Sequence, residues 1–356
     1  MIYSTSAIYA EERYKDGLYF LKRHLAWIGI GLVGMFAVWK TDYHLLRKYS
    51  TALFFVSVIL LGVIYIPGIG KTAGGATRWI EFKGFRFQPS ELAKITLIIY
   101  LSDILTRKQR WMQEFIKGLV PPLVVMGVMV GMVLLQPDLG TSVEMTLVAF
   151  IMLFVAGVKF QYLITLALSA MPFLWVFIFS TPYRRNRMLS FMDPWKDPEG
   201  IGFQIVQSFL ALGSGGIFGV GLGQSRQKLF YLPAAHTDFI FSIVGEELGV
   251  VGSIFILFLF ITIVWFGMRI CFKALDLFGH LLALGIVSLI SIQTIINVGV
   301  VTGSLPTKGL PLPFISYGGS CMAMYLVCIG ILLNIHKWTQ NKLMSGSSMA
   351  QDVVVE

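Results

Sequence analysis

The sequence predicts an all-α membrane protein with several transmembrane helices, and three observations point to this fold class. Of its 356 residues, 56% are hydrophobic and only 13% are charged, whereas about 25% of residues are charged in ordinary soluble domains. Its mean hydropathy is +0.76. Apolar stretches long enough to cross a bilayer, which takes about 20 helical residues, recur along the chain. None alternates in the roughly ten-residue segments of a membrane β-barrel.

Nine apolar stretches are predicted to be the transmembrane helices of a single membrane domain over residues 1–340. They lie near residues 24–40, 51–67, 91–106, 118–135, 139–157, 160–180, 239–268, 278–303 and 314–335. Lys and Arg are more frequent in the short loops on the side of residues 41–50, so we expect that side to be cytoplasmic. The polar residues 341–356 are predicted to be a disordered cytoplasmic tail.

Residues 181–238 form the longest connection, and we expect this loop on the extracytoplasmic side. Structureless loops beyond about 12 to 15 residues are usually functional or disordered. This loop is not disordered in character, because residues 201–223 begin with an amphipathic pattern, Phe203, Val206 and Leu210, and end in a glycine-rich apolar stretch. The pattern is typical of a helix that lies on or dips into the outer leaflet.

Composition and motifs exclude several functions of soluble proteins. The net charge is +9, but the 28 Lys and Arg residues are spread through the loops and form no clustered stripe of the kind that binds nucleic acid. An anionic lipid or a phosphate-bearing ligand fits this charge better. No phosphate-binding glycine loop is present, and the five histidines have no zinc spacing. The sequence therefore identifies no nucleic-acid partner, no metal site and no cofactor.

Four ionisable side chains lie where the long loop runs into an apolar helix. They are His236, Asp238, Glu246 and Glu247. A charge at the centre of a membrane helix costs about 2.5 to 3.5 kcal/mol, so such residues are functional candidates. A partly desolvated carboxyl at the position of Asp238 suits proton transfer. His236 could tune that proton, orient a substrate or only hydrogen-bond the loop, and the two glutamates, about 12 Å deeper, are predicted to be structural partners of buried cations.

Two further polar positions begin apolar helices. Glu91 and Lys94 lie at i and i+3 on the first turn of a helix, where they face each other. This pair could balance the charge of a helix end, hold helices together or line a cavity. Asp138 follows a similar Gln-Pro start, and its carboxylate could cap its helix or line the same cavity.

Three arginines, Arg184, Arg185 and Arg187, lie at the start of the long loop. Guanidinium groups bind phosphate through paired, charge-assisted hydrogen bonds. Together with Arg78, Lys94 and Lys308 they would form an extracytoplasmic cationic surface suited to a lipid diphosphate. Binding of ordinary anionic head groups is the alternative.

The chain resembles the SEDS family (shape, elongation, division and sporulation), whose members polymerise the glycan of bacterial peptidoglycan from lipid II. The resemblance extends from end to end. The matching segments are Tyr3-Ser4-Thr5-Ser6-Ala7, Arg78-Trp79-Ile80, Gln88-Pro89-Ser90-Glu91, Gln136-Pro137-Asp138-Leu139-Gly140, Tyr183-Arg184, Gly202-Phe203-Gln204, Gly221-Leu222-Gly223-Gln224-Ser225, His236-Thr237-Asp238-Phe239-Ile240-Phe241, Glu246-Glu247-Leu248-Gly249 and Pro313-Phe314-Ile315-Ser316-Tyr317-Gly318-Gly319-Ser320. Residues 227–233 and 305–309 are more similar to the division and sporulation members than to the elongation members.

The resemblance implies a fold of ten transmembrane helices. The Tyr-Ser-Thr-Ser-Ala motif usually closes the first of them, and here it begins at Tyr3, so most of that helix is expected to be missing and about nine full helices remain. Two positions depart from the family pattern. Ala234 stands where an acidic residue is common, and Cys321 stands where a second serine is usual.

The resemblance also implies an activity. The 4-hydroxyl of an acceptor lipid II would attack the anomeric carbon of the growing chain, with Asp238 as general base, and displace undecaprenyl diphosphate. The implied substrate-binding candidates are Arg78, Glu91, Lys94, Asp138, Arg184, Arg187, Gln204, His236, Thr237 and Lys308. A divalent cation could share the stabilisation of the diphosphate. The implied partners are a class B penicillin-binding protein, which is a transpeptidase, and other divisome proteins. The implied location is the bacterial cytoplasmic membrane at the division septum.

Two other functions fit part of the sequence. A lipid II flippase would account for the many spans, the Glu91 and Lys94 pair and the cationic loop, but it does not need Asp238. A scaffold that only recruits the transpeptidase predicts that none of these polar residues matters beyond folding.

Overall fold

The computed structural model describes residues 1–73, 76–82, 85–228, 232 and 236–352. These residues are mainly helical, as the sequence predicts. The helices are α1 (Ile2–Tyr14), α2 (Tyr19–Lys40), α3 (His44–Lys48), α4 (Ser50–Val63), α5 (Pro89–Arg107), α6 (Val120–Leu135), α7 (Leu139–Val155), α8 (Phe160–Phe179), α9 (Pro182–Met192), α10 (Phe203–Ser214), α11 (Ile240–Lys273), α12 (Leu277–Val301) and α13 (Gly319–Asp352). A π-helical turn, Phe115–Leu119, precedes α6.

Each of the nine predicted spans coincides with a helix. Within the described residues, six helical segments are long and apolar enough to cross a membrane: Tyr19–Lys40, Phe115–Leu135, Phe160–Phe179, Ile240–Lys273, Leu277–Val301 and Gly319–Ser345. The other three predicted spans are α4, α5 and α7. α4 and α7 are apolar but shorter, and α5 carries four charged residues, Glu91, Lys94, Asp103 and Arg107. The chain is a multi-pass membrane protein of the all-α class.

A small antiparallel sheet was not predicted. Strands β1 (Gly70–Ala73), β2 (Ala76–Phe82) and β3 (Phe85–Phe87) pair in the order β1-β2-β3. Lys71 is opposite Trp79, and Glu81 is opposite Arg86. Strands this short give almost no hydropathy signal, although alternating β-branched and aromatic side chains are a weak one.

The chain divides into two compact units. One unit comprises residues 1–27, 160–262 and 290–322. It contains the long loop, α8 to α10, the first part of α11 and the second part of α12. Ser208 of α10 joins two of these elements, because its hydroxyl lies 2.7 Å from that of Ser242 and donates to the Val301 carbonyl.

The second unit comprises residues 28–159, 263–289 and 323–356. Its α5 is buried along nearly its whole length. The sheet, α3 to α7 and most of α13 also belong to it. α13 is helical as far as Asp352. That residues 1–340 form one domain and that the tail is disordered remain predictions, and residues 353–356 lie outside the described part of the chain.

The first unit contains a break in α11. Gly249 has φ 68° and ψ −165°, a backbone conformation that only glycine adopts readily. The preceding loop supplies hydrogen bonds there. Val220 N–H donates to the Glu246 carbonyl over 2.9 Å, and Val250 N–H donates to the Gly216 carbonyl over 3.0 Å. These bonds satisfy backbone groups that the interrupted helix leaves free.

Candidate functional site

The segment that carries Asp238 is bonded to the loop before α13. Tyr317 N–H donates to the His236 carbonyl over 2.9 Å. The Ser316 hydroxyl donates to the Thr237 carbonyl over 2.6 Å and accepts from Leu312 N–H over 2.7 Å. Ser316 is buried, so water does not compete for these bonds. Two loops that are distant in sequence therefore form one support.

Asn297 of α12 forms hydrogen bonds to both loops. Its Nδ2 donates to the carbonyls of Asp238 and Leu310, each over 2.8 Å, and Asn297 is buried. One turn earlier, Gln293 Nε2 donates to the Pro311 carbonyl over 2.6 Å. The sequence reasoning missed both residues. Their i, i+4 spacing in an apolar helix, which places two amides on one face, was the available signal.

The Asp238 carboxylate lies against the backbone of Gly309. A Cβ added at Gly309 would lie 2.9 Å from Asp238 Oδ2, which is closer than ordinary van der Waals contact. Asp238 itself is partly exposed. The missing side chain at position 309 therefore leaves the carboxylate room at the protein surface.

His236 packs in an aromatic cluster. Its ring centroid lies 5.2 Å from that of Phe20, 5.7 Å from that of Tyr9 and 6.0 Å from that of Tyr317. Burial lowers the pKa of His236 to about 4, because a charged imidazolium loses its hydration there. The imidazole is therefore neutral at pH 7 and can act through hydrogen bonds rather than as a fixed cation.

The two predicted phosphate-binding arginines of α9 have different surroundings. Arg187 Nη1 donates to the Thr307 carbonyl over 3.3 Å, which places its guanidinium beside the loop of Lys308 and Gly309. Arg184 Nη1 donates to the Phe177 carbonyl over 2.9 Å, and its guanidinium lies 3.7 Å from the Phe177 ring centroid. Arg187 thus lies by the loop that supports Asp238, whereas Arg184 packs on the end of α8.

Several other candidates lie in the same compact unit. Gln204 is half-buried in the first turn of α10. Glu246 accepts from Arg226 N–H over 2.8 Å, and Glu247 Oε1 lies 3.1 Å from Lys228 Nζ and 2.5 Å from Ser4 Oγ. The Lys228 and Glu247 side chains are buried. Ala234 lies outside the described residues.

The second compact unit contains a buried group of three charged residues, Glu91, Lys94 and Glu144. Lys94 Nζ lies 3.0 Å from Glu91 Oε2 and 3.4 Å from Glu144 Oε2. All three side chains are at most 4% exposed. Sequence reasoning missed Glu144, although a lone carboxylate inside an apolar stretch was a usable signal. One cation therefore faces two carboxylates.

Asp138 and Arg78 belong to the same unit as this triad. The Asp138 carboxylate accepts from Thr141 N–H over 3.3 Å and from the Thr141 hydroxyl over 3.0 Å, which caps α7. Arg78 Nε lies 3.9 Å from Asp138 Oδ2 and donates to the Gln136 carbonyl over 3.2 Å. The cap is consistent with one of the two roles proposed from the sequence.

We find no cluster of metal-binding side chains in the part of the chain that the structure describes. No group of three or more His, Cys, Asp or Glu residues there is close enough to hold a metal ion.

Comparison with known proteins identifies the family. The sequence profile of the FtsW, RodA and SpoVE proteins, described as cell cycle proteins, matches residues 1–341. The probable peptidoglycan glycosyltransferase FtsW of Geobacter sp. (strain M18) is 46% identical over 335 residues, which cover 94% of this chain and 91% of the relative. Stage V sporulation protein E of Bacillus subtilis (strain 168) is 43% identical over 340 residues, which cover 96% and 92%.

Solved structures have the same fold. The crystal structure of the rod shape determining protein RodA of Thermus thermophilus matches with a TM-score of 0.67 at 25% identity, over 94% of this chain and 93% of that one. A chain from a structural study of polymerization and crosslinking by a peptidoglycan synthase complex matches with a TM-score of 0.77 at 27% identity, over 95% of each chain. The chain therefore belongs to the FtsW/RodA/SpoVE family of cell cycle proteins, the SEDS family that its motifs resemble.

Proposed function

We propose that this protein is a peptidoglycan glycosyltransferase that polymerises lipid II at the outer face of the bacterial cytoplasmic membrane, with Asp238 as general base. The observation that carries the assignment is the support of Asp238. Asn297 holds its carbonyl, and its carboxylate lies against Gly309 at a partly exposed position. A base must be held in a fixed geometry and still be reachable by substrate.

The proposed reaction is an inverting glycosyl transfer. Asp238 accepts the proton of the acceptor 4-hydroxyl while that oxygen bonds to the anomeric carbon of the donor. The bond between the anomeric carbon and the diphosphate oxygen breaks, and undecaprenyl diphosphate leaves with the electron pair. A positioned general base contributes about 10² to 10⁴ in rate.

The departing diphosphate needs fixed positive charge. We assign this role first to Arg187 and Lys308, since Arg187 bonds to the Thr307 carbonyl next to Lys308. Preorganised cations stabilise charge that develops in the transition state. Arg78 and Arg184 stay candidates for the same role. Gln204, Thr237 and neutral His236 are proposed to orient the sugars or the diphosphate through hydrogen bonds.

The partner and the cellular setting are further proposals. One solved chain of this fold comes from a study of a peptidoglycan synthase complex. The family is described as cell cycle proteins, and one relative above 40% identity is named stage V sporulation protein E. We infer that this protein acts in cell division, at the septum, with a class B penicillin-binding protein as transpeptidase partner and with other divisome proteins.

The decisive experiment compares polymerisation of labelled lipid II by the purified full chain and by Asp238→Asn, with and without the transpeptidase. We expect the variant to lose about 10² to 10⁴ in rate and to retain lipid II binding and its melting temperature. Glu199→Gln, which changes an exposed carboxylate of the same long loop, is the matched control and should polymerise normally.

Polymer formation by Asp238→Asn at the wild-type rate would exclude Asp238 as the base. Movement of lipid II across liposome membranes by wild type and Asp238→Asn alike, without polymer from either, would favour the flippase. Absence of both activities together with normal binding of the transpeptidase would favour the scaffold.

A further inference from the structure

A basic cavity lies at the C-terminal end of α5, the end opposite to its Gln88-Pro89 start. It has a volume of about 460 Å³ and is lined by His44, Arg47, Lys48, Ser50, Thr51, Asp103 and Arg107. These residues come from α3, the first turn of α4 and the last turn of α5. All belong to one compact unit. None of them is among the residues assigned to the glycosyl transfer.

The charges of this cavity do not cancel. Asp103 is the one carboxylate of its lining, which also contains three cations, Arg47, Lys48 and Arg107. His44 lines the cavity too, but its ring lies 2.7 Å from Asp42 and 3.9 Å from Asp276, so its polar contacts are with other carboxylates. The cavity therefore carries a net positive charge and favours an anion.

Asp103 orients the two guanidinium groups. Its carboxylate, 5% exposed, accepts from the Ser50 hydroxyl over 2.6 Å, from Arg107 Nη2 over 2.6 Å and from Arg47 Nε over 3.3 Å. A guanidinium has five N–H donors, so contact with Asp103 through one nitrogen leaves donors on each arginine. Arg47 and Arg107 are 39% and 52% exposed, which leaves those donors accessible to a ligand.

Phosphate is the anion that this donor set fits best. Two guanidinium groups held by a shared carboxylate offer several N–H donors with fixed directions, and arginine binds phosphate through such paired bonds. Lys48 adds a point charge, and the exposed Thr51 adds a hydroxyl to the lining. An apolar ligand would leave this charge without a partner.

The neighbouring surface identifies the source of the phosphate as a lipid. α4 begins at the cavity, and farther along it exposes Phe55, Val56 and Ile59, which are 58%, 48% and 62% exposed. In a membrane helix such side chains face acyl chains. Beside the cavity, Lys48 Nζ lies 5.7 Å from the ring centroid of the exposed Tyr49, and Tyr and Lys are typical of the head-group region.

We propose that this cavity binds the phosphate of an anionic phospholipid, whose acyl chains lie along the exposed face of α4. Basic pockets between transmembrane helices bind anionic lipid head groups in this way. The site is separate from the Asp238 chemistry, and it does not depend on the proposed glycosyl transfer.

The test measures lipid retention by native mass spectrometry and thermal unfolding of the purified full chain. The probes are phosphatidylglycerol, phosphatidylcholine and inorganic phosphate. We expect the wild type to retain phosphatidylglycerol over phosphatidylcholine and to melt at a higher temperature with it. Lys48→Gln combined with Arg107→Gln keeps the Arg47–Asp103 pair and should weaken this retention by roughly tenfold or more, the loss expected for two basic residues near an anionic surface.

Two controls keep the result interpretable. Lys48→Gln alone alters an exposed side chain and should weaken retention by several-fold even if the double variant does not fold. Arg110→Gln removes an equal charge from the same predicted side of the membrane, outside the cavity, and should leave retention unchanged. Equal losses from Lys48→Gln and Arg110→Gln would overturn the proposal. Equal protection by inorganic phosphate at millimolar concentration would overturn the assignment to a lipid.

Discussion

The absence of a side chain at Gly309 leaves space for the Asp238 carboxylate. The substitution Gly309→Ala therefore tests the position of this carboxylate without removing it. The new methyl carbon would lie 2.9 Å from Asp238 Oδ2, and the carboxylate would have to move by several tenths of an ångström. Misplacement of this size in a catalytic group costs about tenfold or more in rate. We expect that loss in lipid II polymerisation with an unchanged melting temperature.

Gly213→Ala is the matched control, because a Cβ there has no neighbour within 4 Å. It should polymerise at the wild-type rate. An active Gly309→Ala protein would mean that the carboxylate position is not critical.

His236 makes stability depend on pH in a defined window. Its pKa is about 4 in the folded protein and about 6.5 in an unfolded chain. The unfolded state therefore binds more protons between these values, and the stability from neutral His236 is complete above about pH 6.5 and lost as pH falls towards 4. Between pH 7.5 and 5 the loss is about 2 kcal/mol.

Thermal unfolding of wild type and His236→Phe between pH 7.5 and 5 measures this value, as the difference between the stability that the two proteins lose. The phenylalanine keeps the aromatic packing with Phe20 and Tyr317 and removes the titrating group. We expect the variant to lose less stability on acidification. Identical pH profiles for the two proteins would show that His236 does not titrate in this window.

At the scale of helices, α5 and α7 share one buried cation between two carboxylates. Lys94→Met would leave Glu91 and Glu144 facing each other without a counter-ion, and breaking a buried ion pair costs about 3 to 5 kcal/mol. Glu91→Gln with Lys94→Met still leaves the fully buried Glu144 unpaired. We therefore expect the triple change Glu91→Gln, Lys94→Met and Glu144→Gln to restore folded protein better than that double change.

The yield and melting temperature of the purified variants show whether the triple variant is more stable than the double variant. Polymerisation of lipid II by the triple variant would show that the triad is structural. A triple variant that folds and polymerises, yet no longer moves lipid II across liposome membranes that the wild type crosses, would assign the triad to transport.

For the molecule as a whole, the predicted orientation places the long loop outside and the end of α13 inside. Single cysteines at exposed positions test it, because the native Cys271, Cys321 and Cys328 are buried. We expect a membrane-impermeant thiol reagent to label Glu199→Cys in intact cells and Ser345→Cys only after permeabilisation. The reverse pattern would invert the topology.

Hydropathy predicts the helices of this protein but not the contacts that support Asp238. Each of the nine spans is visible as a local apolar stretch, and Asp238 is visible as an acid at the start of one. Asn297, which holds the Asp238 backbone, is 59 residues away, and Glu144 is 50 residues from Lys94. Such pairings depend on how the helices pack, which no local pattern encodes.

The break at Gly249 also has a consequence for the order in which the chain is made. Residues 216–221 leave the ribosome before α11, yet the N–H groups of Val220 and Gly221 bond to the carbonyls of Glu246 and Glu247. Until those residues have been synthesised, these N–H groups have no partner in the protein and must stay hydrated. This segment of the long loop can therefore make these hydrogen bonds only after the first residues of α11 have been synthesised.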